Sequence, residues 1–136
     1  GHPRRVCHRD YHLNNLYFVA TGEVAVIDAQ DVLVGPDTYD AVSLLEERAM
    51  PELVAADERR RLAGSWATRT AAAAGWERRY RLVRAQRALK VLGTFARLEA
   101  AGRTGYTPWM DGLAARLAAD AGALELPGVV VDRLLD

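Results

Sequence analysis

Three residues near the start of the chain have types and spacing that could do chemistry together: Asp10, Asn15 and Asp28. Asp10 follows His8 and Arg9 in a polar loop, and Asn15 ends that loop. Asp28 comes after two apolar runs separated by Ala20-Thr21-Gly22. If those runs pair as a hairpin, Asn15 before the first is brought beside Asp28 after the second. An amide oxygen and a carboxylate suit Mg²⁺, which takes hard oxygen ligands and completes its shell with water and phosphate. Asp10 would lie nearby, free to accept a proton from an attacking hydroxyl. Phosphoryl transfer needs this division of labour: the metal neutralises charge on a triphosphate while a carboxylate orients the nucleophile.

The elements that must position these groups can be read from the pattern. Arg5–Cys7 is a short extended piece entering the loop. Leu16–Val19 and Glu23–Ile27 are β-favouring runs, and Gly22 supplies the positive φ their turn requires. Two strands alone are marginal, so helices must support them. Gly35-Pro36-Asp37 signals a turn, with Asp37 or Thr38 as cap for a helix over Tyr39–Arg48. Asp57 could cap a helix over Glu58–Ala72, closed by Gly75. Trp76–Ala101 carries an apolar stripe through Leu82, Ala85, Leu89, Leu92 and Ala96, with Arg79, Gln86, Lys90 and Arg97 on a polar face. Thr107-Pro108 reads as cap and first position of a helix to about Ala121. Pro127–Leu135 is expected to form a last short helix. The fold class is mainly α with a small β-hairpin. Strands and helices do not alternate, which argues against a Rossmann-type sheet.

The composition bounds the alternatives. A chain of 136 residues has room for one ordinary domain, and 50% hydrophobic residues can form a sizeable core. With 18 basic and 18 acidic residues the net charge is zero, so there is no electrostatic case for a nucleic-acid or membrane-surface partner. No apolar run approaches the roughly 18–20 residues of a membrane span. The start, Gly1-His2-Pro3-Arg4-Arg5, does not read as a signal peptide. The lone cysteine, Cys7, excludes an intrachain disulfide and fits a reducing, cytoplasmic setting. It reads as a small core residue.

His8-Arg9-Asp10-Tyr11-His12-Leu13-Asn14-Asn15 resembles the H-x-D-x-x-x-x-N catalytic loop of kinase-like phosphotransferases, and Ile27-Asp28 resembles their second metal-binding aspartate. The broader likeness is to the aminoglycoside phosphotransferase superfamily. Ile27–Asp31, Gly35–Leu45 and Gln86–Leu98 narrow it to the anomeric cell-wall amino-sugar kinases. Those enzymes use ATP to phosphorylate the C1 hydroxyl of N-acetylmuramate and N-acetylglucosamine in peptidoglycan recycling. The resemblance implies Asp10 as catalytic base, Asn15 and Asp28 as Mg²⁺ ligands, His8 as support of the loop, and Asp40 as a buried aspartate that anchors it by hydrogen bonds. By position, Gln30 and Asp31 would line the sugar pocket. His12 could touch substrate or metal, though a loop-packing role fits a histidine there better. Ala29, Leu13 and Asn14 depart from the family pattern, which bears on substrate identity and leaves the catalytic positions intact.

Kinase-like enzymes carry an upstream lobe with a phosphate-covering loop and an ATP-positioning lysine. This chain has neither a G-x-G-x-x-G nor a strand lysine, and Lys90 is its only lysine. The resemblance therefore implies a C-terminal lobe with the N-terminal ATP lobe absent. Within it, residues 1–40 would hold the catalytic loop, hairpin and metal site, and residues 41–136 a helical subdomain. The abrupt start suggests the downstream part of something larger. A lobe alone should have little activity and an open apolar interface through which it could dimerise. Two alternatives stay open: a kinase for an aminoglycoside or another small molecule, and a truncated, non-catalytic binding module. The Arg59-Arg60-Arg61 run reads as a solvated helix face, and Trp66, Trp76 and Trp109 as core.

Overall fold

The computed structural model describes residues 3–70 and 73–125. The helix expected over Pro127–Leu135 lies outside them. Two antiparallel strand pairs are followed by five helices among the described residues. The chain divides into two compact units, one ending at Tyr80 and the other beginning at Arg81.

In the first unit, strand β1 (Arg4–Cys7) leads into the polar loop. Strands β2 (Leu16–Phe18) and β3 (Val24–Val26) form the expected hairpin, with Leu16 opposite Val26 and Phe18 opposite Val24. Gly22 sits at φ +82°, as the turn demands. The sequence reading missed the partner of β1. Gly35-Pro36 is the end of strand β4 (Leu33–Pro36), which pairs with β1 so that Cys7 faces Leu33 and Arg5 faces Gly35. Close packing favours Gly35: a Cβ there would stand 3.2 Å from the Cys7 sulfur.

Helix α1 (Tyr39–Leu45) is shorter than the expected Tyr39–Arg48, and the short α2 (Met50–Leu53) follows it. Helix α3 (Ala56–Arg69) packs on α1, burying Ala63 and Ala67 near Ala41, Val42 and Leu45 in the core of this unit. Its N-cap is Ala55, and Asp57 falls in its first turn. Neither expected cap of α1 acts as one. Thr38 holds the N-cap position without a side-chain bond. The Asp37 carboxylate instead makes a two-pronged buried ion pair with Arg79, both bonds at 3.0 Å. The expectation that Arg79 lies on a polar face is thereby corrected. Its guanidinium is buried because Asp37 needs a fork-shaped donor of opposite charge.

Helix α4 (Trp76–Ala100) begins in the first unit and continues in the second. Helix α5 (Thr107–Ala123) starts one residue before the expected proline, with Tyr106 as N-cap. The second unit is built on Ala85, Ala88, Leu92 and Leu117, with Met110 and Leu113 packed against them. Asp120 is buried beneath Arg84 and Arg81. Glu99 completes the α4–α5 turn by accepting the Tyr106 N–H at 2.7 Å and the Thr107 N–H at 3.1 Å. Of the tryptophans read as core, Trp109 is exposed. Among the described residues no helix is long and apolar enough to cross a membrane.

Candidate active site

The loop between β1 and β2 is held from two directions. Asp40, in the first turn of α1, accepts the His8 N–H at 2.7 Å and the Arg9 N–H at 2.9 Å, one on each carboxylate oxygen. It is half-buried rather than fully buried. The two bonds hold Arg9 at φ +74°, a left-handed conformation that side chains other than glycine adopt at a cost of about 1–3 kcal/mol. The loop then tightens on itself. His12 N–H donates to the Asp10 carbonyl at 3.1 Å, and Asn15 N–H donates to the His12 carbonyl at 2.9 Å. Leu13–Asn15 is a single 3-10 turn.

Asn15 is the one buried residue of that turn. Its side-chain nitrogen donates to the Asp10 carbonyl at 2.9 Å. With Nδ2 so placed, Oδ1 is the atom left to face a ligand. The Asn15 carbonyl in turn accepts the Ile27 N–H at 3.1 Å, continuing the hairpin ladder past its last strand residue. His8 Nε2 meets the Ile27 carbonyl at 2.9 Å. A carbonyl only accepts, so this ring nitrogen carries the proton. Ile27 is thus gripped on both its backbone groups by the two ends of the loop, and the next residue is Asp28. Asp28 adopts φ 64°, ψ 46°, the left-handed region that aspartate tolerates better than most residues.

The structure therefore links Asp10, Asn15 and Asp28 through short steps: a side-chain bond from Asn15 to the Asp10 backbone, and a ladder bond from Asn15 to the residue before Asp28. The side chains of Asp10 and Asp28 are exposed, and among the described residues neither carboxylate has a hydrogen-bond partner in the protein. The two carboxylates and the Asn15 amide offer only oxygen donors, on residues that these backbone bonds link. Among the described residues no group of three His, Cys, Asp or Glu is arranged to hold a metal. A cation here would take Asn15 and Asp28 and draw the rest of its shell from water or a substrate. That fits Mg²⁺, which keeps several waters and binds through one or two protein ligands plus phosphates.

The other residues singled out in the sequence take different places. His12 is half-buried, its Nε2 3.5 Å from the Asn15 amide nitrogen and its Nδ1 buried without a protein partner. Gln30 and Asp31 lie in an exposed 3-10 turn (Ala29–Asp31) directly after Asp28. Cys7 is buried, and burial followed by the nearby Asp40 charge raises its thiol pKa, so it is suited to packing rather than nucleophilic work.

Two supports escaped the sequence reading. The Leu13 N–H, at the start of the 3-10 turn, donates to the Glu47 carboxylate at 3.0 Å. No spacing signal announced it: Glu47 lies two residues past the end of α1, outside the helical register of Asp40. An aromatic relay also braces the loop. Tyr11 meets His8 and Trp66 edge-on, and the Trp66 indole N–H reaches the Asp37 carbonyl at 3.4 Å.

Residues 1–84 match the model of the phosphotransferase enzyme family, a span that contains the whole loop, the hairpin and both anchoring carboxylates. The chain belongs to this family. An alignment 104 positions long, covering 71% of the chain, is also 36% identical to the N-acetylmuramate/N-acetylglucosamine kinase of Neisseria meningitidis serogroup B. The aligned part is 30% of that protein, so the chain spans less than a third of the curated relative it matches. No solved structure matches the chain. Membership of the phosphotransferase family gives the oxygen cluster its context, since the residues that converge at Asn15 all lie within the matched span.

Proposed function

We propose that this chain is the C-terminal, catalytic and metal-binding lobe of an ATP-dependent sugar kinase. Its substrate would be the anomeric hydroxyl of N-acetylmuramate or N-acetylglucosamine, in cytoplasmic recycling of cell-wall sugars. The observation that carries the reading is the double role of Asn15. One residue fixes the Asp10 backbone through its side chain and the strand end before Asp28 through its carbonyl. The substrate class rests on the kinase of Neisseria meningitidis.

In this reading Asn15 Oδ1 and the Asp28 carboxylate would hold Mg²⁺, which would supply charge neutralisation for the ATP phosphates. Asp10 would accept the proton of the sugar hydroxyl as that oxygen attacks the terminal phosphorus and the phosphorus–oxygen bond to ADP, the leaving group, breaks. His8 keeps the hairpin end against the loop. Asp40 keeps the loop's entry fixed, and Gln30, Asp31 and His12 border the sugar. The only lysine, Lys90, is exposed on α4, so the lysine that positions ATP in kinase-like enzymes comes from another lobe. Val6 and Phe18, exposed at 71% and 86% on the two strand pairs, offer apolar surface for that lobe, or for a second copy when it is missing. The isolated chain then has little or no kinase activity.

The test is phosphate transfer by the full-length protein across a panel of amino sugars and aminoglycosides, with the phosphorylated position identified. Transfer to the C1 hydroxyl of the acetylated sugars is the expected result. Preferential transfer to an aminoglycoside would move the enzyme to another branch of the family. Absence of transfer to any acceptor would favour a binding module.

A further inference from the structure

The structure assigns Glu47 as a positioning residue that sets the metal-ligating end of the catalytic loop, a role separate from that of Asp40. The inference rests on the phosphotransferase reading of the site. Asp40 and Glu47 flank the same short helix, Asp40 in its first turn and Glu47 two residues past its end at Leu45. Each accepts backbone N–H groups of the loop, but at different places. Asp40 holds residues 8 and 9, on the entry side of Asp10. Glu47 holds residue 13, at the start of the turn that ends in Asn15. Asp10 lies between the two anchors.

The consequence differs for the two ends. The first N–H of a helical turn has no partner within the turn and must find one elsewhere. Here that N–H belongs to Leu13, and the carboxylate supplies a charge-assisted bond. The same turn fixes where Asn15 stands, through the Asn15 N–H to the His12 carbonyl at 2.9 Å. Loss of the Glu47 bond therefore loosens the Leu13–Asn15 turn first. Asn15 then shifts relative to the strand end before Asp28, where its carbonyl accepts the Ile27 N–H, while the entry side remains held by Asp40. A displacement of about 1 Å in a positioned group can cost roughly 10²-fold in rate.

The experiment uses full-length protein carrying Glu47→Ala or Glu47→Gln beside wild type. Glutamine keeps an oxygen that can accept the Leu13 N–H, and alanine keeps none. Three readouts are taken: amide hydrogen exchange across residues 8–15, Mn²⁺ binding followed by electron paramagnetic resonance, and steady-state transfer as a function of Mg²⁺. In Glu47→Ala, protection is expected to fall at residues 13–15 and persist at residues 8 and 9. Mn²⁺ affinity should weaken several-fold, and kcat should fall about tenfold or more at wild-type metal concentration. Glu47→Gln should recover most of each. The proposal is overturned if a folded Glu47→Ala protein binds Mn²⁺ as wild type does, or if protection is lost at residues 8 and 9 to the same extent. A wild-type protein that transfers no phosphate would remove the kinase reading, and the exchange and Mn²⁺ results would still decide the role of Glu47.

Discussion

The Asn15 side chain donates its amide hydrogen to the backbone carbonyl of Asp10 across 2.9 Å. That bond ties the buried end of the loop to the exposed residue in its middle. It spends the nitrogen of Asn15 on structure and leaves the oxygen for a ligand. The Asp10 carbonyl also takes the His12 N–H, so both of its lone pairs are used and the peptide is held from two sides.

Replacement of Asp10 should separate chemistry from folding. Its carboxylate is exposed and makes no hydrogen bond among the described residues. In the full-length enzyme, Asp10→Asn is expected to lower kcat by at least about 10²-fold, because a proton acceptor is removed. Stability should change by no more than about 0.5 kcal/mol. Steady-state kinetics beside thermal melting checks both, and unchanged turnover would remove Asp10 as the base.

Asp40 should behave in the opposite way, linking fold and activity. Asp40→Ala leaves the His8 and Arg9 N–H groups unpaired, and Arg9 loses the bond that offsets its left-handed backbone. A cost of about 2–4 kcal/mol follows from two orphaned donors in a half-buried site. Activity is expected to drop more than about tenfold, since the loop that carries Asp10 is released. Asp40→Asn, with one acceptor left, should fall between wild type and alanine. Urea denaturation and kcat measured on the three proteins give the order.

The Asp37–Arg79 pair predicts an asymmetry between single and double replacement. Their side chains are 1% and 9% exposed, so either charge alone would be buried without its partner. Arg79→Met is expected to destabilise the protein by about 3–5 kcal/mol. The double replacement Asp37→Asn with Arg79→Met should recover a substantial part of that loss, because no full charge is left stranded. A double-mutant cycle by chemical denaturation measures the coupling. Additive losses would show that the pair is not a unit.

Glu99 predicts a dependence on pH. Its carboxyl is held below the usual glutamate value of 4.5, first by the Tyr106 N–H and then by the N–H and hydroxyl of Thr107, against a smaller opposing effect of burial. A folded-state pKa below the unfolded one means the charged form is favoured in the folded protein. The stability it contributes is present above pH 4.5 and is lost as pH falls through the lower folded value. Glu99→Gln should flatten this part of the stability profile, below the ordinary glutamate value of 4.5. Denaturation midpoints across that range, wild type against variant, read it directly.

The hairpin and the long helix from Trp76 were legible in the sequence because each depends on local pattern. Two short β-favouring apolar runs on either side of Gly22 dictate the hairpin, and periodicity dictates the helix. A hairpin then brings the residues at its two ends together wherever the rest of the chain lies. What the sequence could not specify were partnerships between distant residues of no distinctive spacing. β1 finds β4 about 29 residues later, a pairing with no turn signal to announce it. Asp37 looks like a helix cap until Arg79 arrives from 42 residues away and takes both its oxygens. Glu47 carries no signal in the sequence, and only the packed loop makes it the acceptor for Leu13. The sequence by itself determined which groups could do the chemistry. The tertiary structure decided which carboxylates hold the loop, because a buried N–H or charge takes whichever partner the packed chain brings within 3 Å.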